Sequence, residues 1–115
     1  VQIVARGVDG SLRTARETAT GFTAWTDISG GNTFTGSPDA VLDWGQGVQV
    51  VARTTGGSVV RSGETAPGSA TWNPWSAPLG TSVLDPVAAS GTSDHAVLLV
   101  DAAGVGKLVR FQPGA

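Results

Sequence analysis

Four tryptophans and no tyrosine stand among 115 residues. An indole offers a flat apolar face and one N–H donor, a combination that suits the C–H face of a sugar ring. Trp25, Trp44, Trp72 and Trp75 are accompanied by polar side chains that could bond hydroxyls: Asn73, Asp43, Thr71, Arg6 and Arg53. A few convergent polar groups on an apolar floor are the usual make-up of a small-ligand site. The competing reading is that the indoles pack between repeated units and close the core. That reading is favoured for Trp25 and Trp75, which recur at one position. For Trp44 and Trp72 both readings stay open. Arg6 and Arg53 also share one position in successive copies, with Asp101 expected in the third, and a surface ion pair or a loop carbonyl is their alternative partner.

Catalytic chemistry finds little support. His95 is the single histidine, in the segment Gly91-Thr-Ser-Asp-His95, which reads as a loop. A Ser-His-Asp triad is defined by geometry, and no Gly-x-Ser-x-Gly elbow is present to hold its serine. One histidine and no cysteine leave no multi-His or thiolate metal site, and no EF-hand pattern occurs. Gly104-Val-Gly-Lys107 resembles the end of a phosphate loop. It fails because Asp101 stands where the first Gly is needed and Leu108 follows the lysine. Glu17 and Glu64 recur in two copies, but they follow a strand and read as turn polarity. The expectation is a binding protein without catalytic residues, metal or cofactor.

Composition narrows the class. Hydrophobic residues make up 40% of the chain, too many for a disordered segment, while charged residues are only 14%. A net charge of -2 gives no basic surface to collect phosphates, so nucleic acid is not an expected partner. The longest apolar run is residues 96–100, far short of the ~20 residues that span a bilayer. Val1 in place of Met reads as a processed, trimmed or excised piece. With 17 Gly, 6 Pro and mostly β-branched apolar positions, the chain reads as short strands and turns, with no helix. Strands are expected at residues 1–6, 12–16, 23–28 and 40–44. Asp9-Gly10 supplies a hairpin signal between the first two.

The pattern then restarts. Val1-Gln-Ile-Val-Ala-Arg6 is matched by Val48-Gln-Val-Val-Ala-Arg53, and Glu17-Thr-Ala19 by Glu64-Thr-Ala66, each pair 47 residues apart. Phe22-Thr-Ala-Trp25 aligns with Trp72-Asn-Pro-Trp75 after three inserted residues. A third copy begins at Ala96-Val-Leu-Leu-Val100. The repeats are therefore residues 1–47, 48–95 and the half repeat 96–115. A period near 47 residues with four short strands is that of a β-propeller blade, so the expected fold is all-β, about 2.5 four-stranded blades. A closed ring needs about four to eight blades, so other chains or the rest of a longer polypeptide must complete it. The count disfavours a plain two-chain, five-blade ring. A piece of a longer propeller is expected, with a self-assembling unit as the alternative.

The motifs, taken as a strand like Val-Gln-Val-Val-Ala-Arg, a Gly-Ser turn, an aromatic-x-x-Trp, then Gly, Pro and a strand ending Trp44-Gly45, resemble the blades of PLL-like bacterial lectins and, more distantly, of tachylectin and tectonin propellers. The matching stretches are residues 1–10, 22–31, 37–47, 48–58 and 72–80. The resemblance implies a secreted carbohydrate-binding propeller, with a monosaccharide or glycan, fucose-like by expectation, held between adjacent blades on Trp and by Arg, Asp or Asn. Chain departures are Thr92 opposite Trp44 and Thr81 opposite Gly31. The alternatives are a structural or protein-interaction propeller, and an accessory module of a secreted hydrolase.

Overall fold

The computed structural model describes residues 1–43, 47–69, 71–91 and 94–111. Among them there are eleven strands and no helix: β1 (Gln2–Arg6), β2 (Leu12–Thr18), β3 (Gly21–Phe22), β4 (Thr26–Asp27), β5 (Phe34–Leu42), β6 (Val48–Thr54), β7 (Ser58–Gly63), β8 (Gly80–Thr81), β9 (Val87–Ser90), β10 (His95–Val100) and β11 (Gly106–Phe111). They form three antiparallel sheets. The first is β1-β2, with β3 and β4 both on β2. The middle one is β5-β6-β7-β8, and the third is β9-β10-β11. The all-β expectation holds at this level. No helix among the described residues is long and apolar enough to cross a membrane.

The sequence copies are not the sheets. β5 ends the first copy yet pairs with β6, which opens the second. β9 ends the second copy and pairs with β10 of the third. Short connections favour pairing of consecutive antiparallel strands, so each copy hands its last strand to the following sheet. The boundary at 47/48 falls inside the β5–β6 hairpin.

The period survives in the ladders. Gln2 pairs with Arg16, Gln49 with Gly63, and Ala96 with Arg110, each set 47 residues on from the last. Arg6 pairs with Leu12, Arg53 with Val59, and Val100 with Gly106. The third-copy counterpart of Arg6 and Arg53 is therefore Val100, which corrects the expected Asp101. A one-residue slip would turn every core side chain outward, so the buried face sets the register. Asp101 instead caps a turn, accepting the N–H groups of Ala103 and Val105, each at 2.9 Å.

Side chains alternate across each strand, so every sheet has two faces. The middle sheet is covered on both. One face sends Phe34, Val50, Ala52 and Val60 against Leu12 and Ile28 of the first sheet and its connections. The other sends Val51 and Val59 against Val97 and Leu99 of the third. This is why consecutive residues of β6 (Val50, Val51, Ala52) and of β7 (Val59, Val60) are buried, whereas β1, with nearly the same residues, has none that is. Burying each such side chain stabilises by about 1.5–3 kcal/mol.

Three local readings change. The strand expected at 23–28 is reduced to the two residues of β4, with β3 ahead of it at Gly21–Phe22. β5 begins at Phe34, earlier than the expected 40–44 strand. It passes Pro38 through a bulge between Thr35 and Asp39, where the missing proline N–H removes no ladder bond. Gly36 in that bulge has φ +69°. His95 is not in a loop: it opens β10 and is 1% exposed.

Candidate functional site: the cleft between the first and middle sheets

The segment after β7 runs back along that strand without forming a full ladder. Asn73 N–H donates to the Gly63 carbonyl (2.9 Å), Ser76 N–H to Arg61 (2.8 Å) and Leu79 N–H to Val59 (2.8 Å). Ser62 Oγ also donates to the Asn73 carbonyl at 2.7 Å. Pro74 and Pro78 supply no N–H, and the bonds come at every third residue, 73, 76 and 79. These anchors hold Trp72 and Trp75 against the first sheet.

Trp75 is the committed indole. Its Nε1–H donates to the Ile28 carbonyl at 2.8 Å, and its ring tilts on Phe34 with centroids 5.0 Å apart. Gly30, at φ +58°, passes under the indole so closely that a Cβ there would lie 3.1 Å from Trp75 Cδ1. Glycine meets both the left-handed backbone and the close approach. Trp72 has no such bond and lines an open cleft of about 580 Å³ together with Asn73. The facing wall is β4 and the segment after it, with Thr26, Asp27 and Asn32. Ser29 folds that wall: its Oγ accepts from Leu12 N–H at 2.8 Å, and its own N–H donates to Asp27 Oδ1 at 2.7 Å. The hydrogen bonds from Ser29 hold the Asp27 carboxyl below its ordinary value near 3.8, so it is an anionic acceptor at neutral pH.

Behind Trp72 and Thr26 lies a smaller cavity of about 170 Å³, lined also by Gln2, Thr23 and Arg16. Arg16 Nη2 donates to Gln2 Oε1 at 2.6 Å and to Glu64 Oε2 at 2.7 Å. Glu64 Oε1 accepts from Val48 N–H at 3.1 Å. Glu64 was read as turn polarity; it is in fact a buried carboxylate that ties the middle sheet to the first.

The eight sequence candidates divide. Trp72, Asn73 and Trp75 come together in the cleft. Trp25 and Arg6 share a shallow depression of about 420 Å³ beside the β1–β2 turn of the first sheet, with Arg13 next to them. Arg6 Nε donates to the Gly36 carbonyl at 2.6 Å. Arg53 pairs with Asp85 at 3.2 Å on the other side of that glycine. Asp43 accepts from Gly47 N–H (3.0 Å) and Gln49 Nε2 (2.8 Å). Trp44 lies outside the described residues. Sequence reasoning passed over Thr26, Asp27, Asn32 and Arg16. Asp27-x-Ser29 repeats the Asp9-x-Ser11 pattern, an Asx-turn signal that could have marked the wall. Nothing local marked Arg16.

Among the described residues no group of three or more His, Asp or Glu converges as a metal site would require. No family model and no curated protein matches the chain.

Proposed function

We propose that the chain is a non-enzymatic carbohydrate-binding module built of propeller-type sheets, and that the sugar sits in the cleft between the first and middle sheets. One observation carries the reading. The Trp72 indole and Asn73 on one sheet face Thr26, Asp27 and Asn32 on the next, across a cleft of about 580 Å³. Volumes of roughly 300–1,000 Å³ with an aromatic floor and few polar groups suit a small ligand. A monosaccharide stacks on Trp72, and its hydroxyls donate to Asp27 and exchange bonds with Asn32, Asn73 and Thr26. Trp75 holds the two walls together, its one donor already used on Ile28. A single open site of this kind binds weakly, with Kd near ~1 mM, and gains strength by repetition. A secreted location belongs to the same proposal.

That use of Trp75 also supports a second reading, a structural or protein-interaction propeller in which the indoles only join sheets. Titration with a panel of monosaccharides including L-fucose, followed by tryptophan fluorescence and by ligand NMR, separates the two. The sugar reading expects a saturable response to at least one sugar, lost in Trp72→Ala and kept in Trp75→Phe. Silence towards every sugar in both measurements overturns it and leaves the structural reading.

A further inference from the structure

The two outermost faces of the three-sheet array are the two halves of one seam. In the seam between the first and middle sheets, Arg16 reaches Glu64, and Trp72 and Trp75 lie half-buried against the preceding sheet. Every one of these groups has a counterpart on an uncovered face. Glu17 stands 47 residues before Glu64, and each glutamate pairs across its strand with the matching aromatic: Glu17 with Phe22, Glu64 with Trp72. Arg110 stands 94 residues, two periods, after Arg16, and their ladder partners are Ala96 and Gln2.

The uncovered face of the first sheet thus presents Glu17, Phe22, Trp25 and Ile3. Phe22 and Trp25 are each 51% exposed, whereas Trp72 and Trp75 at the same repeat positions are covered. The uncovered face of the third sheet presents Arg110, which bonds Asp94 of its own chain yet stays 60% exposed, and a cross-strand apolar row. Val87, Leu98 and Leu108 lie directly opposite one another on three neighbouring strands, and all three are exposed. The covered counterpart of Leu98 is Val51, buried in the seam between the middle and third sheets. Lys107, on the inner face of the third sheet, reaches back to the Leu79 carbonyl of the middle sheet at 3.1 Å. Arg13 is its counterpart two periods earlier, and it lies on the outer face of the first sheet beside Trp25.

We infer that the chain associates head to tail with a second copy of itself, the third sheet of one copy covering the first sheet of the next. Arg110 bonds Glu17 of the next copy as Arg16 bonds Glu64, and Leu98 and Leu108 pack on its Ile3, Phe22 and Trp25. The inference rests on the stacked-repeat part of the reading above and not on sugar binding. The contact is heterologous, since different surfaces meet, and it therefore propagates to a closed ring or an open filament.

The test is sedimentation and light scattering of the wild-type chain, then of Glu17→Arg, Arg110→Glu and the double variant carrying both. The wild type is expected to have a mass that is a multiple of the monomer. Each single variant brings like charges together and weakens association about tenfold or more, and the double variant restores it. Leu98→Glu, on an exposed position of the single copy, dissociates the assembly independently of that ion pair. A monomeric wild type overturns the inference, and so does an oligomer that all four variants leave untouched. Hydrogen exchange on the same wild-type sample keeps the two failures apart. A monomer with protected β6 and β7 amides loses the association and keeps the stacked sheets; a monomer with unprotected β6 and β7 loses both.

Discussion

The indole N–H of Trp75 and the carbonyl of Ile28 meet at 2.8 Å, and the bond joins two sheets that share no ladder. Within a sheet, backbone pairing supplies cohesion. Between the first and middle sheets a backbone bond joins Phe34 N–H to the Gly10 carbonyl at 2.8 Å, and side chains add to it: Trp75 contributes both an apolar face on Phe34 and a directed bond. Trp75→Phe keeps most of the ring contact and strands the Ile28 carbonyl. It is expected to cost about 1–2 kcal/mol. Trp75→Ala also loses the packing and is expected to cost about 3 kcal/mol. Urea unfolding of both variants ranks the two contributions, and an equal cost would show that the hydrogen bond dominates.

Arg16 and Glu64 tie the same two sheets by charge. The Glu64 side chain is 1% exposed and that of Arg16 is 37% exposed. Removing the arginine leaves a buried carboxylate with only the Val48 N–H as a bonded partner in this contact. Arg16→Met is expected to destabilise by about 2–3 kcal/mol, below the figure for a fully buried pair because the guanidinium is partly solvated. Glu64→Gln leaves no buried charge, although its single amide oxygen can accept from only one of the two donors, Arg16 Nη2 and the Val48 N–H, and it is expected to cost less. A chemical-denaturation series on the two variants checks the order.

His95 makes the seam between the middle and third sheets sensitive to acid. Arg61 Nη1 donates to its Nε2 at 3.1 Å, its ring stacks on Phe111 with centroids 5.0 Å apart, and the Arg61 guanidinium sits 3.7 Å above that phenyl ring. Burial first, then the Arg61 charge, pushes His95 below its ordinary value near 6.5, while Asp43 and Asp94 act in the opposite sense. The folded value is depressed, so the unfolded chain binds the proton more tightly. The stability is fully present above pH ~6.5 and is lost as pH falls from there through the folded value. Unfolding midpoints between pH 8 and pH 5 should fall on the acid side, and His95→Gln should flatten that slope. A wild type with no acid-side loss in this window would contradict the assignment.

Gly36 is held between two arginines and an aspartate. Its φ is +69°, and a Cβ built on it would lie 1.8 Å from Asp85 Oδ1. Gly36→Ala strains the backbone and displaces the Arg53–Asp85 pair, at an expected cost of about 2 kcal/mol. Asp85→Ala in the same background should recover part of that cost by removing the clash, and thermal unfolding of the two variants measures it.

For the cleft, Trp72→Ala is expected to remove a sugar response and, because the indole is half-buried against the core, to lower stability by about 2 kcal/mol. Asp27→Asn is expected to weaken sugar binding about tenfold by replacing an anionic acceptor with a neutral one. Calorimetric titration with the responding monosaccharide measures both. An unchanged affinity in Asp27→Asn would exclude that carboxylate from the site.

Much of the secondary structure was legible in the residues. The alternation in Gln2–Arg6, the hairpin signal at Asp9-Gly10 and the restart of that pattern at Val48–Arg53 predicted strands where strands stand. The bulged β5 was not legible, because Pro38 reads as a strand boundary and only the partner strand shows that the ladder resumes beyond it. The cleft was half legible: Trp72, Asn73 and Trp75 announced themselves by type, while Thr26, Asp27 and Asn32 are ordinary polar residues until a second sheet faces them.

Periodicity, β-branched composition and turn chemistry are local properties, and the sequence by itself determined them: an all-β chain with a 47-residue repeat whose strands keep step at that spacing. Tertiary structure alone decided which copies share a sheet and which equivalent residues are covered. Trp25 and Trp75 occupy one repeat position, yet one is exposed and the other bonded across a seam. Glu17 and Glu64 differ in the same way. Burial is set by what stands against a residue in space, and only Trp75 and Glu64 have a preceding sheet of this chain to face.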